Sequence, residues 1–255
     1  MKKPQVSVVI PTYNRPLLLR DALESLTTQT DVPFDVTVIN DAGIDVGDVV
    51  SQFKTEMQIN YFSLPVNKGL PTARNTGLKY SSGAFVAYLD DDDIYLPGHL
   101  KALSERLEAK PLLGLVYSDA LLEKDVRSKN GIRGTEQRVL AHNYDLSIML
   151  RDSFICPSAV MHRRECVQTL GGFDEEMRWC YEDWDFLLKI GSRYGIERVD
   201  GATVKVRLRS DDSNMSSTVN SYRDAAASVL RERYGCSDIA PKTFWEVAET
   251  LQMGG

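Results

Sequence analysis

The chain has 255 residues, 43% hydrophobic and 26% charged, with a formal net charge of −6. That is ordinary globular composition, long enough to bury a sizeable core. The mild acidity argues against a general nucleic-acid binder, which shows a basic face, and no run of about 18 apolar residues marks a membrane span. The opening MKKPQVSVVIPTYNR is basic and then apolar. Its apolar run is too short for a signal peptide and lacks a small-residue cleavage site, so a cytoplasmic location is expected. No basic amphipathic helix stands out, which leaves peripheral docking on the inner membrane face open. Cys156, Cys166, Cys180 and Cys236 show no C-x-x-C spacing and read as free thiols rather than a zinc site.

Strand and helix signals alternate over the first hundred residues. QVSVVIP is short and rich in Val and Ile, as a buried strand should be. RPLLLRDALESLTTQT follows as a helix with Leu19, Leu23 and Leu26 on one face. FDVTVIND is a second strand, DVGDVVSQFKTE a short helix and INYFSLP a third strand. LPTARNTGLKYSSG is a helix, AFVAYLD a fourth strand, and PGHLKALSERLEAK a helix opened by Pro97. This alternation implies right-handed crossovers and a largely parallel sheet. Beyond it, LLGLVYSDALLEKD reads as a strand with the makings of a hairpin, and VRSKNGIRGTEQR as a polar loop. FICPSAVMHRREC is a strand running into a short helix, and a further helix begins near Glu182. The polar stretch over 209–221 is expected to be mobile and to order over a bound diphosphate. The last 35 or so residues read as two helices. No repeat, low-complexity tract or linker interrupts the chain, so a single domain over 1–255 is expected.

Ligands of open α/β sheets bind beyond the carboxyl ends of the strands. Three such ends carry polar residues here: Pro11-Thr12-Tyr13-Asn14, Asn40-Asp41 and Asp90-Asp91-Asp92-Asp93. Two carboxylates 5 Å apart repel by about 3 kcal/mol at an effective dielectric near 20. A cation relieves that repulsion, and hard oxygen ligands suit Mg²⁺ or Mn²⁺ held together with substrate phosphates. A solvated acidic turn with Asp93 capping the next helix is the plainer alternative. Asp41 can accept from a base N–H or simply shape a turn. Arg74, early on its helix, suits a phosphate or base contact. Glu182, Asp183 and Asp185 either complement a helix dipole or do chemistry, and Tyr181 and Trp184 beside them hint at a sugar-sized cleft. His162 reads as a ligand or a core residue, His99 and His142 as surface residues.

VSVVIPTYNR, VINDAG, NKGLPTARNTGL, FVAYLDDDDIYLP, VMHRREC, GGFDEE and CYEDWDF occur in the order expected of glycosyltransferase family 2. The chain resembles that family over roughly residues 4 to 210. The resemblance implies a GT-A fold: a Rossmann-like, mostly parallel central sheet flanked by helices, a smaller acceptor-side β region and C-terminal helices. It implies a nucleotide-binding part over about 1–110, an acceptor-binding part over about 111–220 and terminal helices over about 221–255. It also implies a nucleotide-sugar donor (UDP before dTDP), Mn²⁺ or Mg²⁺, inversion at the anomeric carbon, and a role in polysaccharide or glycoconjugate biosynthesis. By motif position, Pro11, Thr12 and Tyr13 match the nucleoside-contacting strand end, Asp41 the residue that reads uracil, and Arg74 the helix arginine near the nucleotide. Asp90-x-Asp92 matches the DXD motif, with Asp92 the metal ligand and Asp90 and Asp91 near ribose and metal. Asp183 matches the catalytic base. The acceptor is a saccharide, a lipid-linked saccharide or another hydroxyl compound. The family's late-loop His is absent from RSDDSNMSS, which leaves that loop's metal or diphosphate contacts open.

Two other enzyme classes fit poorly. A sugar nucleotidyltransferase opens with a Gly-rich phosphate loop, and PTYNRPLLLR has none. A Rossmann oxidoreductase needs G-x-G-x-x-G after the first strand. A catalytically silent scaffold retaining the fold would have little reason to keep both Asp92 and Asp183.

Overall fold

The structure is a computed structural model that describes residues 4–128, 131–178, 180–209, 220–235, 239 and 242–253. It opens with β1 (Val6–Thr12), α1 (Pro16–Leu26), β2 (Phe34–Asn40), α2 (Gly47–Ser51), β3 (Gln58–Ser63), α3 (Leu70–Tyr80) and β4 (Phe85–Tyr88). Strand β1 pairs in parallel with both β2 and β4, and β2 with β3. Every residue of β1 is buried, because a central strand of a parallel sheet is covered on both faces. Helix α1 buries Leu19, Ala22, Leu23 and Leu26, the i, i+3, i+4, i+7 stripe its sequence promises. It ends at Leu26, short of the 15–30 span the sequence pattern suggests.

Helix α3 lies unusually close to β1. A Cβ at Gly77 would stand 2.2 Å from Val9 Cγ1, so only glycine permits that approach. One turn earlier on the helix, Arg74 is carried into the interior behind the strand ends.

The chain continues with β5 (Ile94–Tyr95), α4 (His99–Ala109), β6 (Leu113–Ser128), β7 (Gly131–Leu140), α5 (Leu146–Met149), β8 (Val160–Arg163), α6 (Arg164–Leu170), α7 (Glu182–Gly191), β9 (Gly195–Leu208), α8 (Asn220–Tyr234) and α9 (Phe244–Met253). The sheet runs β3-β2-β1-β4-β8-β6-β9-β5, with β7 paired to β6. Strand β8 is antiparallel to both β4 and β6, and β6 is parallel to β9. The result is a curled sheet flanked by helices, with a parallel first half and a mixed second half.

Several expectations need correction. The polar segment over 126–138 is mostly strand, since β7 pairs with β6 from Ser128↔Gly131 to Ala120↔Leu140. Residues 134–137 are exposed, so the apolar signal of a core strand is missing there. Strand β9 gave no clear sequence pattern, because Gly195–Leu208 mixes charges into a half-buried strand. His99 is fully buried rather than at the surface. It stacks on Tyr95 at 4.0 Å, and its Nδ1 lies 2.7 Å from Thr203 Oγ1. His162 is a core residue, with Nε2 2.8 Å from Tyr88 Oη. His142 is partly exposed. Cys156, Cys166 and Cys180 are unpaired thiols, and Cys236 lies outside the described residues. The terminal pair of helices is present as α8 and α9.

Candidate active site

The three polar strand ends do meet on one edge. Thr12, at the end of β1, donates from Oγ1 to Asp91 Oδ2 at 2.7 Å. Arg15, just before α1, reaches Asp91 Oδ1 at 3.0 Å and Asp92 Oδ2 at 3.3 Å. The four aspartates divide into two kinds. Asp91 and Asp93 turn inward and are buried. Asp93 accepts from Ser158 Oγ at 2.6 Å and from the Arg207 N–H at 3.1 Å. Asp90 and Asp92 remain partly exposed, 25% and 16% for their side chains, at the cleft edge. Burial, then the Asp92 charge, pushes the Asp91 carboxyl up to about 6. Burial, then the Asp92 and Asp90 charges, pushes Asp93 well up.

The strand end is ringed by arginine. Arg209 reaches Asp92 Oδ2 at 3.0 Å, and Arg207 bonds the Asp92 carbonyl through Nε. Sequence reasoning missed Arg15, Arg207 and Arg209. Arg15 ends the PTYNR stretch, and the two later arginines flank Leu208 at the end of β9; their only sequence signal was basic residues bordering polar loops.

Among the described residues, no group of three or more His, Cys, Asp or Glu side chains is placed to hold a metal ion by itself. Asp90 and Asp92 nonetheless form the i, i+2 pair of hard oxygen donors that Mg²⁺ or Mn²⁺ uses alongside substrate phosphates. The residues present therefore fit such an ion.

Asp41 follows β2 and fastens the neighbouring loop. Its Oδ1 accepts from the Lys68 N–H at 2.8 Å and its Oδ2 from the Gly69 N–H at 2.7 Å. A carboxylate offers about four lone-pair sites, so acceptor capacity remains for a ligand N–H. Tyr13 is 46% exposed at the rim, whereas Pro11 and Thr12 are buried behind it.

Arg74 joins this edge to the second half of the site. It is 1% exposed, and its guanidinium forks at 2.7 Å to Asp90 Oδ1 and at 2.7 Å to Glu182 Oε1. Its charge also sits 5.4 Å over the Phe173 ring. Phe173 in turn stacks on Phe186 of α7 at 4.2 Å. Arg74 thus meets no solvent-facing surface of its own and touches the strand end through carboxylates.

Glu182 and Asp183 open α7 behind Tyr181, which is held in the left-handed region at φ 63°. Burial, then the Asp183 charge, raises the Glu182 carboxyl, against the pull of Arg74. Asp183 accepts from the Trp184 N–H at 2.8 Å, and burial raises its carboxyl while Arg74 lowers it. Trp184 is buried and donates through Nε1 to the Met149 carbonyl. Asp185 is fully buried and accepts at 2.9 Å from both Arg233 and Tyr234, which ties α7 to α8. It is a structural residue. Asp183 lines a cleft of about 180 Å³ formed with Tyr181, Leu208 and Phe244. The polar segment over 209–221 falls largely outside the described residues; Arg209 and Asn220 bracket it.

Residues 7–171 match the family model for glycosyl transferase family 2. The chain belongs to that family. This glycosyltransferase is 32% identical over 250 residues to an uncharacterized glycosyltransferase, YwdF, of Bacillus subtilis (strain 168), spanning 98% of this chain and 91% of that protein. It is 35% identical over 125 residues to the GalNAc(5)-diNAcBac-PP-undecaprenol beta-1,3-glucosyltransferase of Campylobacter jejuni, spanning 48% of this chain and 40% of that one. Among solved structures, S. aureus TarS 1-349 in complex with UDP-GlcNAc superposes with a TM-score of 0.64 at 25% identity, covering 84% of this chain and 61% of that one. The mannosyltransferase PcManGT of Pyrobaculum calidifontis, in complex with GDP-Man and Mn²⁺, superposes with a TM-score of 0.63 over 98% of this chain and 70% of its own. At 19% identity that last likeness is one of fold. Among the described residues, no helix of this glycosyltransferase is long and apolar enough to cross a membrane.

Proposed function

We propose that this glycosyltransferase moves a sugar from a UDP-sugar, or next best a dTDP-sugar, to an acceptor hydroxyl with inversion at the anomeric carbon. The observation that carries this reading is the Arg74 fork, which holds Asp90 of the strand end and Glu182 of the ED pair in one buried unit. Donor site and base are thereby fixed relative to each other, as a single in-line displacement requires.

Pro11, Thr12 and Tyr13 would receive the nucleoside, with the exposed Tyr13 ring beside it and Asp41 accepting a pyrimidine N–H. The UDP-GlcNAc complex of TarS supports a UDP-sugar donor. Asp90 would border ribose and diphosphate, with Asp91 turned inward beneath it, and Asp92 would hold Mn²⁺ or Mg²⁺. Such an ion, when bound, offsets the charge of the leaving diphosphate. Arg15 and Arg209 stand beside Asp92 and add cationic groups where the departing diphosphate gathers charge. Asp183 would take the proton of the acceptor hydroxyl as that oxygen forms its bond to C1 and the C1–diphosphate bond breaks. Burial raises its basicity, and the nearby Arg74 opposes that rise. Because the attacking oxygen enters opposite the leaving group, one displacement inverts the centre. Cys156, Cys166 and Cys180 are free thiols, which supports a reducing compartment and so a cytoplasmic reaction.

Calorimetry with UDP tests the donor half. Binding is expected with Mn²⁺ and to be lost with excess EDTA or in Asp92→Asn. Equal affinity with and without EDTA would remove Asp92 as a metal ligand. NMR of the first-formed product tests inversion, and retention of anomeric configuration would overturn the displacement.

A further inference from the structure

We infer that Arg209 and Arg15 are exchanging counter-ions: they hold the Asp92 carboxylate against a lone divalent cation and release it when a diphosphate arrives to take the arginines. This rests on Asp92 being the metal ligand proposed above, and it goes further by making metal binding conditional on the nucleotide.

Both contacts fall on one oxygen. Asp92 Oδ2 accepts at 3.3 Å from Arg15 and at 3.0 Å from Arg209. Arg15 also reaches Asp91 Oδ1 at 3.0 Å, so two guanidiniums face two adjacent carboxylates and largely cancel their charge. A guanidinium cannot shed its proton in a protein. A cation therefore gains that oxygen only where the arginines move aside, and it meets their positive charge as it approaches. A diphosphate changes the balance. It presents several anionic oxygens in the geometry that a guanidinium fork matches, often with two parallel hydrogen bonds. The arginines then trade one shared carboxylate oxygen for phosphate oxygens, and the carboxylate is left for the metal.

The mounting of each arginine suits this division of labour. Arg74 is a fixed counter-ion, 1% exposed and forked between Asp90 and Glu182. Arg15 and Arg209 are 23% and 14% exposed and stand at the cleft edge, where their side chains have room to swing. The backbone beneath Arg209 is pinned. Arg207, two residues earlier, is in register with Glu123 in the sheet. Its N–H donates to Asp93 Oδ1 at 3.1 Å, its Nε to the Asp92 carbonyl, and its Nη1 to Asp21 Oδ2 at 2.9 Å. Alternate residues of an extended chain share a face, so Arg207 and Arg209 both point at the aspartate run. The exchange then needs only side-chain motion at Arg209. It is a coupling between two ligands, so a nucleotide that favours the metal is favoured by it to the same degree.

Two titrations of the whole protein test this: MnCl₂ alone, read by loss of the free-ion EPR signal, and UDP at excess Mn²⁺, read by calorimetry. Arg209→Gln is expected to bind Mn²⁺ alone about tenfold tighter than the parent and UDP about tenfold weaker, each 1.4 kcal/mol. A merely structural arginine would not move the two affinities in opposite directions. Arg15→Gln is expected to shift both in the same directions as Arg209→Gln. Arg20→Gln removes an equal charge from the exposed side of α1 and is expected to change neither. Mn²⁺ binding no tighter in either Arg209→Gln or Arg15→Gln, UDP binding undiminished in both, or an equal gain in Arg20→Gln would overturn the exchange. Adding Asp92→Asn to Arg209→Gln separates the cases: a gain in Mn²⁺ binding that survives it strikes Asp92 as the ligand, whereas no gain to begin with strikes the exchange alone.

Discussion

Arg74→Lys is expected to unfasten the two halves of the site. Each terminal nitrogen of Arg74 donates at 2.7 Å to a different carboxylate, and the side chain is 1% exposed. A lysine ammonium is a point donor on a single stem and cannot span both partners as the planar fork does. At least one charge-assisted bond is lost, about 1.5–3 kcal/mol. A chain of this size shifts its melting temperature by about 2–4 °C per kcal/mol, so Arg74→Lys should melt roughly 3–12 °C lower. Arg74→Met leaves a buried carboxylate without its cation and should cost about 3–5 kcal/mol. Removing Glu182 as well should be cheaper than the sum of the single changes, because a buried pair deleted together leaves no orphaned charge. A double-mutant cycle of Arg74→Met and Glu182→Gln is therefore expected to show a coupling of about 2 kcal/mol, within the range for contacting residues. Thermal unfolding without nucleotide gives the energies, and kcat on a UDP-sugar reads the base, whose neighbour Glu182 has lost its anchor. Arg74→Lys melting with the parent, or a cycle coupling of zero, would refute the bridging role.

Asp183→Asn keeps the size but removes the basicity, and transfer is expected to fall at least about a hundredfold with UDP affinity unchanged; Glu182→Gln should hurt turnover less, and near-parent kcat in Asp183→Asn would remove the mechanism. Asp41→Ala should weaken UDP binding and also loosen the Lys68–Gly69 loop that it fastens, visible as faster hydrogen exchange there; GDP binding tighter than UDP and dTDP would contradict the base assignment. Burial holds His162 down at about 4 and His99 at about 3, below the ordinary 6.5. Both are neutral in the fold, while the unfolded chain takes up their protons below pH 6.5. Their contribution is thus full above pH 6.5 and lost as pH falls toward 4 and then 3, at up to about 1.4 kcal/mol per unit for each. His162→Gln is expected to flatten that acid limb of the stability curve by one proton, and a limb as steep as the parent's would exclude it.

What the sequence revealed depended on how each element is buried. β1, β2 and β4 are covered on both faces, so their sequences are nearly unbroken Val, Ile and aromatic runs, and their order and polar ends were readable directly. β7 and β9 sit half in solvent or carry charges paired across strands, such as Lys205 with Glu123 and Arg198 with Asp119, and no clean alternation survives. The aspartate run was conspicuous as a run. Its division into inward Asp91 and Asp93 and outward Asp90 and Asp92 was not, because it depends on Thr12 and Ser158, 79 and 65 residues away in the chain. Arg74 shows the same limit. A helix arginine next to a nucleotide motif reads as a phosphate contact, and only the close approach at Gly77 reveals that it is carried beneath the site to meet carboxylates.

Backbone strain marks the same edge independently of any side-chain chemistry. Among the described residues, Asn14, Ala42 and Tyr181 are the non-glycine residues at positive φ, at 58°, 61° and 63°. Each left-handed residue costs on the order of 1–3 kcal/mol and persists only where its surroundings hold it. Asn14 follows β1, Ala42 follows β2, and Tyr181 precedes α7. The first two are locked together, since Asn14 Oδ1 accepts from the Ile44 N–H at 2.8 Å and Asn40 Oδ1 from the Gly43 N–H at 2.8 Å. The strain therefore lies on both sides of the Arg74 bridge, at the polar strand ends and at the start of the helix carrying Asp183. A fold with no ligand to shape would gain stability by relaxing these turns with glycine. Their occurrence at the same edge as the divided aspartates and the buried arginine fork is the backbone counterpart of the donor-and-base arrangement proposed above.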